Sequence, residues 1–403
     1  MKKMRLVKLA LLWSMLMTAA LDPFMGANAA QNGDFVIENG RLIEYTGSSS
    51  HVVIPDSVTV IGKDSFYTSG AQYDLNSVEI PSSVKTIESA FYGCKNLHTV
   101  SFSEGLERIE GTAFFNGPIT ALTLPGSLSY IGGYAFGGNA IASLTFTGSA
   151  QPMIIETYAF VNNDELTEVV IPGNVKRIGE SAFSLCDKLT EVVLEPGVEE
   201  IGAEAFQNCE VLAHITLPDG LKRIGDLAFH KSPLEELLIP DSVTSFGKLH
   251  LDGGNAYFPP CATLKKLHWP AGVPDIPDSE FDQYAALEKV EIPEGVASIG
   301  DYAFSGCPEL TELEIPGSVK RIESNTFSDC AKLESVALRA GVETIEMSAF
   351  GGCEALISIH VPGTDTQIAE DALDGSDAVR LFGPAGGAAQ AYAQAHGLAW
   401  YEE

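Results

Sequence analysis

Residues 166–187 read "LTEVVIPGNVKRIGESAFSLCD", and residues 189–210 read "LTEVVLEPGVEEIGAEAFQNCE". A third copy starts at Leu310, "LTELEIPGSVKRIESNTFSDCAK". Self-similarity at a fixed short period is the mark of a solenoid, in which each unit buries its apolar side only against its neighbours. The unit is Leu-x-x-Val-x-Ile-Pro, then Gly-x-Val-x-x-Ile-Gly, then Ala-Phe. Its first part alternates apolar and polar residues at period two and so predicts a short strand. Leu166, Val169 and Ile171 point inward, and Glu168 and Val170 point outward. Pro172 and Gly173 end that strand in a turn. A second short strand or extended segment around Ile178 leads to Phe183.

The Phe of the Ala-Phe step sets the register. It falls at Phe66, Phe91, Phe114, Phe136, Phe160, Phe183, Phe206, Phe229, Phe281, Phe304, Phe327 and Phe350, with Leu251 and Leu373 in two equivalent slots. That makes 14 units with a modal step of 23 residues. The expected fold is a right-handed, mostly β solenoid of parallel strands. Stacked strands lie about 4.8 Å apart, which predicts a body roughly 65 Å long.

The ends depart from the repeat. Asp34 to Tyr45, "DFVIENGRLIEY", alternates around Asn39-Gly40, a dipeptide that favours a type I′ hairpin. Such a hairpin closes an open strand edge that otherwise invites aggregation. From Val379 to Trp400 the chain reads strand, Gly-rich turn, Ala-rich helix over 388–396, Gly397, strand. The predicted organisation is an N-terminal cap over 30–50, a solenoid over 51–375 and a C-terminal cap over 376–403. Ahead of these, Lys2, Lys3, Arg5 and Lys8 precede an apolar run from Leu9 to Leu21 and the small residues Ala27-Asn28-Ala29. This is the order of a secretory signal peptide over 1–29, and the run is shorter than the roughly 20 residues that span a bilayer. The expected protein is exported, monomeric and not inserted in the membrane.

The chain has 403 residues, 24 Lys+Arg and 54 Asp+Glu, for a formal charge of −30. This balance argues against nucleic acid, which needs clustered cations. With hydrophobic residues at 45%, the chain can bury a large core, which an acidic disordered tail cannot.

Seven cysteines occupy one slot of the repeat. Cys94, Cys186, Cys209, Cys261, Cys307, Cys330 and Cys353 each stand three residues before a strand Leu, and Asn163 holds the same place before Leu166. One thiol per coil, all facing the same way, predicts small buried thiols, not disulfides. A row of single cysteines also does not converge on zinc, which needs four ligands around one point.

No catalytic motif stands out and no cofactor is expected. Glu291, Glu312 and Glu314 form a candidate carboxylate cluster on the outward face. Glycosidases need two such groups, but the acidity of the chain as a whole accounts for the cluster. The main irregularity is the segment 252–260, "DGGNAYFPP", which places Tyr257 and Phe258 in a loop, with Trp269 just beyond and Lys266 and His268 on the adjoining strand. Insertions in repeats map to loops, often on the binding side, and aromatics make good anchors. These five residues are the candidate partner contacts. The competing reading is a packed bulge that covers a weakened unit.

The unit "IPGSVKRIESNTFSDCAKL" resembles the leucine-rich repeats of BspA-like bacterial surface proteins. The ending "LFGPAGGAAQAYAQAHGLAW" is similar to the closing segment of that family. The resemblance implies a secreted or cell-surface bacterial protein that binds an extracellular protein or glycan, such as a host matrix or cell-surface component, in adhesion or host interaction. A surface scaffold without a specific ligand is the alternative, and a glycan-acting enzyme is the weakest reading.

Overall fold

A computed structural model describes residues 32–67, 75–148, 151–247 and 262–403. The repeat folds as expected, into a parallel β-solenoid of about 15 turns. Each coil gives one strand to each of two sheets. The broad sheet takes the Leu-x-x-Val-x-Ile segments, such as Glu168–Ile171, Glu191–Leu194 and Glu312–Ile315. Here the alternation works as read: Val169 and Ile171 are buried and Val170 is half exposed to solvent. The narrow sheet takes the shorter Ile-ending pieces, such as Glu200–Ile201 and Arg223–Ile224, paired in register with Ile201 opposite Ile224. Gly202 follows Ile201 because the coils nearly touch there. A Cβ on it would lie 2.6 Å from the carbonyl carbon of Gly179.

The aromatic slot stacks into a ladder through the core. Phe114, Phe136, Phe160 and Phe183 follow one another at centroid distances of 5.2, 5.4 and 5.1 Å, with ring planes within 9°. All are buried. Offset stacking of this kind adds about 0.5–1.5 kcal/mol per pair to the area buried.

The arc that carries this Phe looks like a loop in sequence but is a third ladder. Residues two before and two after the Phe adopt left-handed backbone, for example Thr112 (φ 57°) and Asn116 (φ 61°) around Phe114. That conformation costs a non-glycine residue about 1–2 kcal/mol. The geometry turns every second amide toward the next coil. Thr112, Phe114 and Asn116 donate to the carbonyls of Gly133, Ala135 and Gly137 at 2.9, 2.8 and 2.9 Å.

The carbonyl of the Phe itself faces inward, and the cysteine slot of the next coil serves it. The Sγ atoms of Cys209, Cys307 and Cys353 donate to the carbonyls of Phe183, Phe281 and Phe327 at 3.3, 3.3 and 3.2 Å. Asn163 makes the same bond to Phe136 at 3.0 Å, and Ser232 to Phe206 at 2.7 Å. Six of the cysteines are free and buried. Cys261 lies outside the described residues.

Both caps are present. Phe35–Glu38 and Arg41–Tyr45 pair antiparallel across Asn39 and Gly40, both left-handed (φ 48° and 77°). The hairpin closes the narrow sheet, since Arg41 and Leu42 pair with Val60 and Ile61. It does not reach the broad sheet, whose first strand His51–Val53 pairs with Ser77–Ile80. Tyr45 enters the aromatic ladder, 5.2 Å from Phe66, and its amide donates to the Ser65 carbonyl at 2.8 Å. At the other end the helix Ala388–His396 lies between the strands Arg380–Gly383 and Ala399–Glu402, which pair in parallel. Left-handed Gly397 (φ 68°) stops the helix, and buried Tyr392 covers the last coil by accepting from the Leu373 amide at 3.4 Å.

Burial pushes the Cys209 and Cys307 thiols up to about 12, from an ordinary value of 9.0. The folded state therefore holds thiol protons that the unfolded chain releases. Stability from this source is complete below pH 9 and is lost as pH rises toward 12. We predict a melting temperature that falls over that interval. The fall should be shallower in Cys209→Ser, which keeps a donor of the kind Ser232 already supplies. The same variant should lose less than about 1 kcal/mol at pH 7, whereas Cys209→Ala, which orphans the Phe183 carbonyl, should lose about 1–3 kcal/mol.

Candidate binding surface

The outward residues of the broad sheet form rows along the solenoid, because each strand repeats the register of the one before. One row runs Leu238, His268, Glu291, and a row further along runs Glu314, Ala337, His360, Phe382, Tyr401. The hydrogen-bond ladder of this sheet is interrupted four times among the described residues, once between Lys289–Glu291 and Glu312–Ile315. At that junction Glu291 and Glu314 hold the same strand position in consecutive coils. Like charges placed side by side destabilise a strand pair. A groove of about 680 Å³ opens there, lined by His268, Lys289, Glu291, Glu312, Glu314 and Arg339 together with Val290 and Leu313.

Each flank carries its own counter-ions. Lys289 reaches Glu291 at 2.8 Å, and the Nε of Arg339 donates to Glu314 at 2.6 Å. His268 sits between two carboxylates, its Nε2 3.2 Å from Asp241 and its Nδ1 3.3 Å from Glu291. Lys289 holds the Glu291 carboxyl below the ordinary range, and the Ala271 amide does the same for Asp241. A general acid needs its pKa raised toward neutrality. Glu291 is shifted the other way, which suits a fixed anionic contact.

At the C-terminal end the same face carries an aromatic stack. His360 and Phe382 lie 4.6 Å apart and Phe382 and Tyr401 5.2 Å apart, with interplanar angles of 7° and 19°. Tyr401 is 49% exposed. Phe382 and Tyr401 were not among the residues singled out from sequence. Carrying the outward parity of Ser358 and His360 forward into the last two strands would have found them.

The sequence-derived contacts divide. Lys266 is exposed on the broad face and paired with Glu236, and His268 borders the groove. Trp269, expected as a partner contact, is a core residue and not a surface anchor. It is 1% exposed, and its Nε1 donates to the Val273 carbonyl at 2.9 Å. Its ring meets Phe246 and Phe281 edge to face at 5.3 and 5.9 Å. It stands one residue past outward His268, on the inward parity of the strand. Tyr257 and Phe258 lie outside the described residues. Among the described residues no three His, Cys, Asp or Glu side chains are grouped to hold a metal, and no helix is long and apolar enough to cross a membrane.

The profile of the BspA type leucine rich repeat region (6 copies) matches residues 41–152, 71–186, 153–253 and 252–380. The chain belongs to the BspA-type leucine-rich repeat family. No curated protein sequence matches it significantly. Among solved structures, this BspA-type chain is similar to a leucine-rich repeat protein from Bacteroides ovatus. The two share 23% identity over 83% of this chain and 92% of that one, with a TM-score of 0.52. It also matches the pneumococcal vaccine antigen PcpA at 22% identity over 94% and 98% of the two chains (TM-score 0.40). A leucine-rich repeat protein from Eubacterium ventriosum matches at 20% identity over 83% and 88% (TM-score 0.37). At 23% identity the likeness to the Bacteroides ovatus protein is one of fold.

Placing Trp269 in the core and Lys266 on the surface has a direct check. Trp269→Ala should cost about 3–5 kcal/mol in denaturant unfolding, while Lys266→Ala should stay within about 1 kcal/mol, as an exposed ion pair does.

Proposed function

We propose that this BspA-type protein is an exported or cell-surface bacterial binding protein. On this reading it contacts an extracellular protein or glycan, a host matrix or cell-surface component, and serves adhesion or host interaction. The observation that carries the reading is the broad face. Its outward side chains repeat in register, open into a charged groove at Glu291 and Glu314, and end in the stack of half-buried His360 and Phe382 with exposed Tyr401. Aromatic anchors beside paired charges are a common make-up of contact surfaces. Tyr257 and Phe258 belong to the proposal as further contacts, together with Lys266 and His268. The basic start and apolar run of residues 1–29 support export.

Binding of the protein lacking residues 1–29 to immobilised matrix proteins and to a glycan array tests this. A saturable ligand should appear. Its affinity should fall about tenfold or more in Glu291→Gln with Arg339→Gln, in Phe382→Ser with Tyr401→Ser, or in Tyr257→Ala with Phe258→Ala, with little change in melting temperature. Absence of any ligand, or one bound equally by all three variants, would overturn the reading and favour a scaffold role.

A further inference from the structure

The arc slots give each coil a built-in control. The position just after the ladder Phe is Ser184, Gln207, His230, Asp282, Ser305 and Ser328 in later coils, so the fold does not require an aromatic there. In early coils the same slot holds Tyr92 and Phe115, with ring centroids 5.9 Å apart. Two residues before the ladder Phe, neighbouring coils hold Tyr134 and Tyr158, stacked at 4.6 Å and 20°. Phe115 meets Tyr134 edge to face at 5.6 Å and joins the two pairs into one surface patch. Tyr92 is 42% and Tyr134 38% exposed. These rings lie on the arc, away from both sheets and from the groove. Contiguous exposed aromatics of this extent mark interaction sites.

The charge of the chain selects the partner. Glu156 precedes Tyr158 by two residues, and Glu180, whose backbone carbonyl accepts the Tyr158 amide at 2.8 Å, stands beside it in the next coil. The chain as a whole carries −30. Nearby, on the narrow sheet, the protein stacks one of its own arginines on a tyrosine. The Arg108 guanidinium lies 3.9 Å from the Tyr130 ring centroid while its Nε bonds Glu110 at 2.8 Å. An arginine beside a ring and a carboxylate gains both a cation–π contact and an ion pair.

We propose that Tyr92, Phe115, Tyr134 and Tyr158 form a second docking surface, which takes an extended, arginine-bearing segment of a partner protein. The guanidinium groups stack on the tyrosines, and the acidity of the chain, −30 overall, attracts them. A second copy of this chain is disfavoured as occupant because two bodies of charge −30 repel.

The test uses fluorescein-labelled octa-arginine and octa-lysine peptides, read by anisotropy against the protein lacking residues 1–29. The variant is Tyr134→Ser with Tyr158→Ser. It leaves the charge unchanged, and serine already occupies this left-handed slot at Ser181, Ser279 and Ser348. Tyr302→Ser is the control, a lone exposed tyrosine in the same slot of a later coil. Octa-arginine should bind more tightly than octa-lysine, and the double variant should weaken octa-arginine about tenfold with its melting temperature kept. The control should bind as wild type. Equal binding by the double variant and the control would overturn the proposal, leaving general attraction to an acidic protein. So would an uncharged oligosaccharide or a self-association that only the double variant loses, since each names a different occupant.

Discussion

The fold depends on one constraint: a coil of this solenoid cannot satisfy its own backbone. In the arc, every second amide is turned out of its coil, and its acceptor is a carbonyl of the next one, as from Phe136 to Ala159 and from Phe160 to Ala182, both at 2.8 Å. An unpaired buried amide costs about 1–3 kcal/mol, so an isolated coil is not viable and a stack of many is. The left-handed residues beside each Phe are the local cost of that arrangement. The neighbour's carbonyls and the stacked rings offset it. Because these amides all point toward the C-terminus of the stack, the two ends need different covers. The first exposed carbonyls meet the amide of Tyr45, and a late exposed amide meets the hydroxyl of Tyr392.

The same constraint explains why Cys, Asn and Ser share a slot. The Phe carbonyl points into the core, and a short side chain with a donor reaches it from the next coil. A thiol does so weakly while filling space, an amide or hydroxyl more strongly. Conversion to a disulfide would remove the donor from two coils at once.

Much of this was legible in the sequence, and the misses have physical causes. The Phe register, the Asn39-Gly40 hairpin, the helix over Ala388–His396 and the inward thiols follow from spacing alone. The arc ladder does not, because residues such as Tyr134 and Leu227 give no sign of left-handed backbone, which is usually read from glycine. Trp269 lies next to an irregular segment, which suggests a surface anchor, but one step past outward His268 is inward and parity decides its place. The carboxylates of Glu291, Glu312 and Glu314 could be placed together, but the groove between them could not. It depends on where the hydrogen-bond ladder breaks, a property of two strands and not of one. The patch around Tyr134 is not legible from strand alternation, because these rings project from the arc.

A solenoid of this kind has separable surfaces. The core of the described residues is one apolar cluster, so a change to an outward strand position or an outward arc position leaves the stack intact, and the groove, the C-terminal stack and the arc patch can each diverge alone. The most direct check on the account is amide hydrogen exchange in the arcs. If the amides of Phe114, Phe136, Phe160 and Phe183 are held by the next coil, they should exchange as slowly as those of the flanking strands. Exchange at the rate of open loops, with the strands still protected, would contradict it.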